Sequence, residues 1–277
     1  MSTSVILAVL AAAFLHASWN TLVKAHGGAV PTILVAAGGG LLCALALPFA
    51  AAPHPASWPF IGASALVHLL YYALLIETYR SGELSHAYPL MRGCAPLIVA
   101  LLAPLTGERL GAGQWLAVGL ICGGVLAMFA GSGGRRAAGR TTLLALATAC
   151  VIALYTLVDG AGVRRAGSAA GYTMWIFVLS AIGVLALAWR TQGEALLPFA
   201  RRHPGVLLGG GLMTVGSYGM ALWAMTQAPV AVVAALRETS ILFATAIAVL
   251  VLRERVGPAR LLGAGLIALG AAAMRLT

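Results

Sequence analysis

Two arginines and one glutamate stand where a chain this apolar has least reason to carry charge. Arg237 and Glu238 fall in Leu236-Arg237-Glu238-Thr239-Ser240, inside the otherwise apolar run Val230–Leu252. Arg92 falls in Ala87-Tyr88-Pro89-Leu90-Met91-Arg92-Gly93, inside the run Leu84–Leu105. On insertion scales an ionised side chain at the centre of a membrane helix costs about 2.5–3.5 kcal/mol, so such groups persist where they pair or line a cavity. A guanidinium holds a carboxylate through two parallel N–H···O bonds, and a low-dielectric cavity strengthens that contact. Arg92 and Arg237 are therefore candidate ligands for a substrate carboxylate. The competing reading is a buried arginine satisfied by Glu238 or by helix carbonyls, although one acid does not neutralise both. Glu238 has three readings: it takes a substrate ammonium, it exchanges a proton as a coupling group, or it neutralises Arg92.

Neighbouring runs offer groups that would shape a pocket around these charges. His68, Tyr71 and Tyr72 form one polar-aromatic patch, and Thr214, Ser217 and Tyr218 form a counterpart later in the chain. Tyr88 lies beside Pro89 and eight residues before Pro96. Prolines remove backbone donors, leave carbonyls free and kink a helix, a break that membranes tolerate where protein or a cavity satisfies the backbone. Each of these groups also has a plain packing reading. Glu77, near the end of its run, is expected to reach the interface. His16, Trp19, Asn20, Tyr155 and Asp159 are expected to make helix–helix hydrogen bonds. Glu108-Arg109 and Arg253-Glu254-Arg255 are expected to anchor loops, and Trp58, Trp115 and Trp189 to sit in an interfacial belt. Paired carboxylates, a metal cluster or an activated nucleophile are what an enzyme needs. The chain has one aspartate, scattered glutamates and 6 dispersed histidines, so neither catalysis nor a metal or cofactor is expected.

The elements that position these residues follow from composition. Of 277 residues 61% are hydrophobic and 9% charged, with mean hydropathy +0.97. A soluble domain carries roughly 25% charged residues, so this is an integral membrane protein. The net charge of +10 is dispersed in short clusters between apolar runs, the pattern of topology signals and lipid head-group contacts, not of a nucleic-acid surface. Cys43, Cys94, Cys122 and Cys150 lie inside apolar runs at irregular spacing and are expected to be buried free thiols. The N-terminal segment lacks a basic leader region and is expected to stay in the mature protein.

Spans of roughly 20 apolar residues are expected at Ser4–Lys24, Pro31–Ala51, Trp58–Tyr79, Leu84–Leu105, Gly111–Ala130, Thr141–Val163, Ala169–Trp189, Gly205–Thr226, Val230–Leu252 and Gly257–Met274. The chain also repeats itself. Thr106-Gly107-Glu108-Arg109-Leu110 matches Leu252-Arg253-Glu254-Arg255-Val256, and the Gly-rich stretches starting at Gly119 and Gly265 match at the same 146-residue offset. That offset carries Arg92 onto Glu238. The expected fold is all-α, ten transmembrane helices as two five-helix repeats, residues 1–134 and 135–277, around a central cavity. An odd number of spans per half inverts the second half, and inverted repeats bind substrate near the midplane. With cytoplasmic termini, inside loops would hold four basic residues against eleven outside; the positive-inside rule therefore puts both termini outside. The expected location is a bacterial-type inner membrane.

Taken together, His16-Ala17-Ser18-Trp19-Asn20-Thr21-Leu22-Val23-Lys24, Ala87–Gly93, Gly107-Glu108-Arg109, Leu236–Ser240 and Leu252–Gly257 make the chain resemble the drug/metabolite transporter superfamily, in its ten-helix EamA-like branch. The resemblance covers nearly the whole chain. It implies a basket of helices around a cavity lined by the third, fourth, eighth and ninth spans, with the fifth and tenth peripheral, and it implies small-metabolite transport. The expected function is export of amino acids of broad specificity by alternating access, without a cofactor and with or without proton coupling. The alternative is a transporter of anionic metabolites or drugs on the same fold. The expected partners are the small-molecule substrate and the bilayer, with no nucleic acid, the chain being a monomer or a homodimer.

Overall fold

The computed structural model describes residues 1–27, 29–81, 84–130, 139–250, 253 and 257–276. Among them the chain is helical, without strands: α1 (Thr3–His26), α2 (Ala29–Ala46), α3 (Trp58–Ser81), α4 (Leu84–Leu102), α5 (Ala112–Ala130), α6 (Gly139–Arg165), α7 (Ala169–Arg202), α8 (Gly210–Met225), α9 (Val230–Leu236), α10 (Ser240–Leu250) and α11 (Pro258–Arg275). Eight stretches are long and apolar enough to cross a membrane; one of them, Val230–Leu250, comprises α9 and α10 with the turn between them. Side chains are distributed as lipid demands. Leu7, Leu45, Leu66, Leu143 and Leu250 stand outward and exposed, while Ser57, Ser64, Thr148, Asp159, Glu238 and Ser240 are buried. This is a multi-pass membrane protein.

Local chemistry sets the ends. Ser2 caps α1 by accepting from the Val5 amide, and Gly27 closes it at φ +65°. Pro104 ends α4 in a 3-10 turn (Ala103–Thr106), with Gly107 left-handed at φ +81°. Ser168 caps α7 by accepting from the Gly171 amide at 3.0 Å. Polar groups within α1 are satisfied by their own helix: Asn20 Nδ2 donates to His16 O at 2.7 Å and Thr21 Oγ1 to Ala17 O at 2.8 Å. Back-bonding to the carbonyl four residues earlier removes the need for the interhelical partner that the sequence suggests for Asn20.

Packing runs chiefly between the early and the late helices. α1 lies on α8 and α10, α2 on α7, α3 and α4 on α6, and α5 along α11. Glycine makes the closest of these approaches possible. A Cβ on Gly263 would stand 2.5 Å from Gly124 O, and one on Gly124 would stand 2.7 Å from Gly263 O, so α5 and α11 meet backbone to backbone.

Three features depart from expectation. α7 continues past Trp189 to Arg202, because Leu196 and Phe199 beyond the apolar span still pack on Ile33 and Leu34 of α2. The run at Val230–Leu252 is broken: α9 gives way to a 3-10 turn at Arg237–Thr239 before α10 begins. Cys150 is exposed and Cys94 half-buried, with Cys43 and Cys122 buried and all four free; Cys150 falls on the outward side of α6. Glu254 and Arg255, expected to anchor a loop, and the stretch 131–138 lie outside the described residues.

Candidate functional site

The broken span is where the charges sit. Glu238 is buried at 4% exposure on the 3-10 turn. Arg92 Nε donates to Glu238 Oε2 at 3.0 Å, and Arg92 Nη2 donates to Ser240 Oγ at 3.3 Å. The two residues are 146 positions apart, the offset at which the chain repeats. Four residues after Arg92, Pro96 removes the amide that would have bonded the Arg92 carbonyl. A void of about 20 Å³ lies here, lined by Arg92, Pro96, Tyr155, Ala234, Arg237 and Glu238. Such a space holds about one water.

Arg237 points the other way. Its guanidinium carbon stands 5.3 Å above the Tyr218 ring, and it helps to line a larger cavity of about 100 Å³. His68, Tyr71 and Tyr72 of α3, Thr214, Ser217 and Tyr218 of α8, and Tyr155 of α6 line the same cavity. Arg237 and Tyr155 border both spaces and form the partition between them. His68 stacks on Tyr155 with ring centroids 4.4 Å apart and meets Tyr218 edge-on at 5.8 Å. Its Nδ1 lies 2.9 Å from Ser64 O; a carbonyl only accepts, so Nδ1 donates to it.

The residues singled out in the sequence therefore separate into three groups. Arg92 and Glu238 hold one another beside the small void. Arg237, His68, Tyr71, Tyr72, Thr214, Ser217 and Tyr218 surround the large cavity, although the Ser217 hydroxyl already donates to Ala12 O at 2.7 Å. Tyr88 borders neither space and packs instead beside Leu75 and Met91. Sequence reasoning gave His16 and Trp19 to helix–helix hydrogen bonding and passed over Thr32, Phe177 and Ser180, yet all five stand on the cavity wall. Two of these, Trp19 Nε1 and Ser180 Oγ, are buried polar atoms with no hydrogen-bond partner among the described residues. An indole three residues after His16 was the available signal, but its unsatisfied state depends on neighbours from other helices.

Two further clusters frame the cavity. Asp159 of α6 is fully buried and accepts from Tyr218 OH at 2.5 Å and Tyr172 OH at 3.1 Å. At one end of the bundle, Arg164 Nη2 pairs with Glu108 Oε1 at 2.6 Å. Arg164 also donates from Nε to Met225 O at 2.8 Å and from Nη2 to Ala228 O at 2.9 Å, while both Glu108 oxygens accept from the Val230 amide at 3.0 Å. The carbonyls at and just after the end of α8 and the first amide of α9 have no partners within their helices, so one ion pair caps both and ties the connection after α4 to the last turn of α6 and to the α8–α9 joint. Glu108 is thus more than a loop anchor. At the opposite end Glu77 pairs with Arg140 at 2.6 Å, and His26 meets His203 at 4.9 Å. The cavity wall uses the late parts of α1 and α3 and the early part of α2, which places it toward the Glu77 end and away from the Glu108 cluster. Among the described residues no group of three His, Cys, Asp or Glu could hold a metal ion.

A family model described as the EamA-like transporter family matches residues 3–130 and again residues 140–276. No curated protein sequence matches the chain. A protein crystal structure with 19% sequence identity covers 100% of this chain and 98% of its own, with a TM-score of 0.79, a likeness of fold alone.

Proposed function

The chain belongs to the EamA-like transporter family, and from that premise we propose that it exports amino acids of broad specificity by alternating access. α5 and α11 complete a ten-span bundle of two inverted five-helix halves, 1–134 and 135–277; the double match of the family model and the 146-residue pairing of Arg92 with Glu238 support this reading. The observation that carries the site is Arg237. Glu238 is engaged by Arg92, and no ion pair to Arg237 is found among the described residues. Its guanidinium borders a cavity whose wall also offers the unpartnered Trp19 N–H and Ser180 hydroxyl. A substrate carboxylate docks on Arg237, its ammonium lies against the electron-rich faces of Tyr71, Tyr155 and Tyr218, and its side chain meets the aromatic wall. His68, Tyr72, Thr214 and Ser217 complete that wall, while Arg92, Glu238 and Tyr88 hold the broken helix and its surroundings.

Both termini lie at the Glu108 end, which the charge distribution assigns to the outside of an inner membrane. The cavity then faces the cytoplasm, where an exporter loads its cargo. Release requires the Glu108–Arg164 cluster to part. Because one arginine is left without an acid, a second reading places amine-free carboxylates in the same cavity. Flux of labelled L-phenylalanine and of 3-phenylpropionate, the same skeleton without its amine, into proteoliposomes separates them. Amino-acid transport predicts the faster flux for phenylalanine; flux of 3-phenylpropionate alone would replace it with the anion reading.

A further inference from the structure

Asp159 is the one aspartate of the chain, and none of the roles above uses it. It is 0% exposed, and no ion pair to it occurs among the described residues. Its hydrogen-bond donors are neutral hydroxyls, Tyr218 OH on Oδ2, Tyr172 OH on Oδ1 and the hydroxyl of Ser64. An unpaired carboxylate in such a place carries a desolvation penalty of several kcal/mol, so its presence calls for an explanation. Glu238, the other acid in the middle of the bundle, offers a contrast. It is clasped by Arg92, whose guanidinium does not give up its proton, so Glu238 already has a fixed counter-charge at 3.0 Å. A hydroxyl both donates and accepts. The arrangement around Asp159 therefore has a complete set of partners whether Asp159 is a carboxylate accepting these bonds or an acid donating one and accepting the others.

We propose that Asp159, held by Tyr218 and Tyr172 behind the cavity wall, is the proton-binding site through which cargo movement is coupled to a proton gradient. The proposal rests on the transport reading above and adds the coupling ion to it. Tyr218 is the link to the cavity: its hydroxyl is on Asp159, while its ring lies beneath Arg237 and against the edge of His68. The polar and titratable groups around Asp159 are Ser64 and His68 on α3, Tyr155 on α6, Tyr172 on α7 and Tyr218 on α8. Arg237 bears on them through the Tyr218 ring, and Arg92 with Glu238 lies beyond the partition. In the proton step, Tyr218 passes its hydroxyl proton to Asp159 and takes one from water in the cavity, so that one proton leaves that water and one is gained by the carboxyl. Arg164, five residues further along α6, is the residue that closes the Glu108 end. When that cluster parts, water reaches α6 from the other side, and Asp159 returns the proton there. A cargo carboxylate drawing on Arg237 alters the charge above Tyr218, which is how occupancy of the cavity reaches Asp159.

Two readouts test this, one of them independent of cargo. In lipid nanodiscs, infrared difference spectra of the full chain taken across a pH titration should contain a protonated-carboxyl band that Asp159→Asn removes and Tyr218→Phe shifts. In proteoliposomes, a pH step of one unit should sustain up to about a tenfold gradient of labelled L-phenylalanine for one-for-one exchange. Asp159→Asn should reduce that ratio to unity. Identical carboxyl bands in the wild type and Asp159→Asn at every pH would overturn the proposal. So would a wild-type gradient that ignores the pH step, or an Asp159→Asn protein that still accumulates cargo. The band appearing as expected while the wild type moves neither phenylalanine nor 3-phenylpropionate would uphold the proton site and overturn the cargo assignment instead.

Discussion

Replacing Arg92 by methionine should damage the fold, whereas replacing Arg237 in the same way should spare it. Arg92 and Glu238 have side-chain exposures of 12% and 5% and meet at 3.0 Å. Removing one partner of such a pair leaves a buried charge without compensation, a loss of about 3–5 kcal/mol. Glu238→Met should cost a similar amount for the mirror reason. The double substitution removes both charges, and exchanging a buried pair for apolar residues of similar volume is often neutral or stabilising by about 1–4 kcal/mol. Arg237→Met loses only its contact with the Tyr218 ring, about 0.5–2 kcal/mol. Equilibrium unfolding in mixed micelles, followed by tryptophan fluorescence, measures the four proteins beside the wild type. The reasoning requires that the double variant be more stable than either of its parents. If its loss equals the sum of the two single losses, Arg92 and Glu238 act independently, and the clasp across the broken helix is refuted.

Two other perturbations follow from the packing. Gly263→Leu forces a side chain into the space where a Cβ would already stand 2.5 Å from Gly124 O and 2.4 Å from Met128 Cγ. It should part α5 from α11 and cost about 1–3 kcal/mol, read in the same unfolding assay, while Gly265→Leu, whose Cβ meets nothing within 4 Å, should behave as the wild type. Glu108→Gln keeps an acceptor for the Val230 amide but deprives Arg164 of its counter-charge. In a background whose four native cysteines are replaced, a cysteine at Ala234 should then react faster with a membrane-impermeant maleimide applied from the side of the termini; an unchanged rate would mean that Glu108 does not hold that end shut.

Much of this architecture can be read in the chain because membranes impose strong rules on composition. Long apolar runs mark spans, and an arginine or glutamate inside one is costly enough to be noticed. The repeat then carries Arg92 onto Glu238, the residue it meets. Which arginine faces a cavity was not legible. Arg92 and Arg237 look alike in sequence, and only the 3-10 turn directs Glu238 to one and Tyr218 beneath the other. The Glu108–Arg164–Val230 cluster joins residues from three separate parts of the chain with no common period, and Asp159 finds Tyr172 and Tyr218 at separations of 13 and 59 residues. Local propensity says nothing about such partners. The length of α7 was hidden for a related reason. Arg190, Gln192 and Glu194 end the apolar span, but the helix persists because Leu196 and Phe199 find α2.

The central claim is that Arg237 receives the cargo. Uptake of labelled L-phenylalanine into proteoliposomes containing wild-type or Arg237→Met protein, matched for folded protein, tests it most directly. The account predicts that Arg237→Met stays folded and loses saturable uptake, because no other arginine or lysine among the described residues borders the cavity. Uptake by folded Arg237→Met with the KM and maximal rate of the wild type would contradict it.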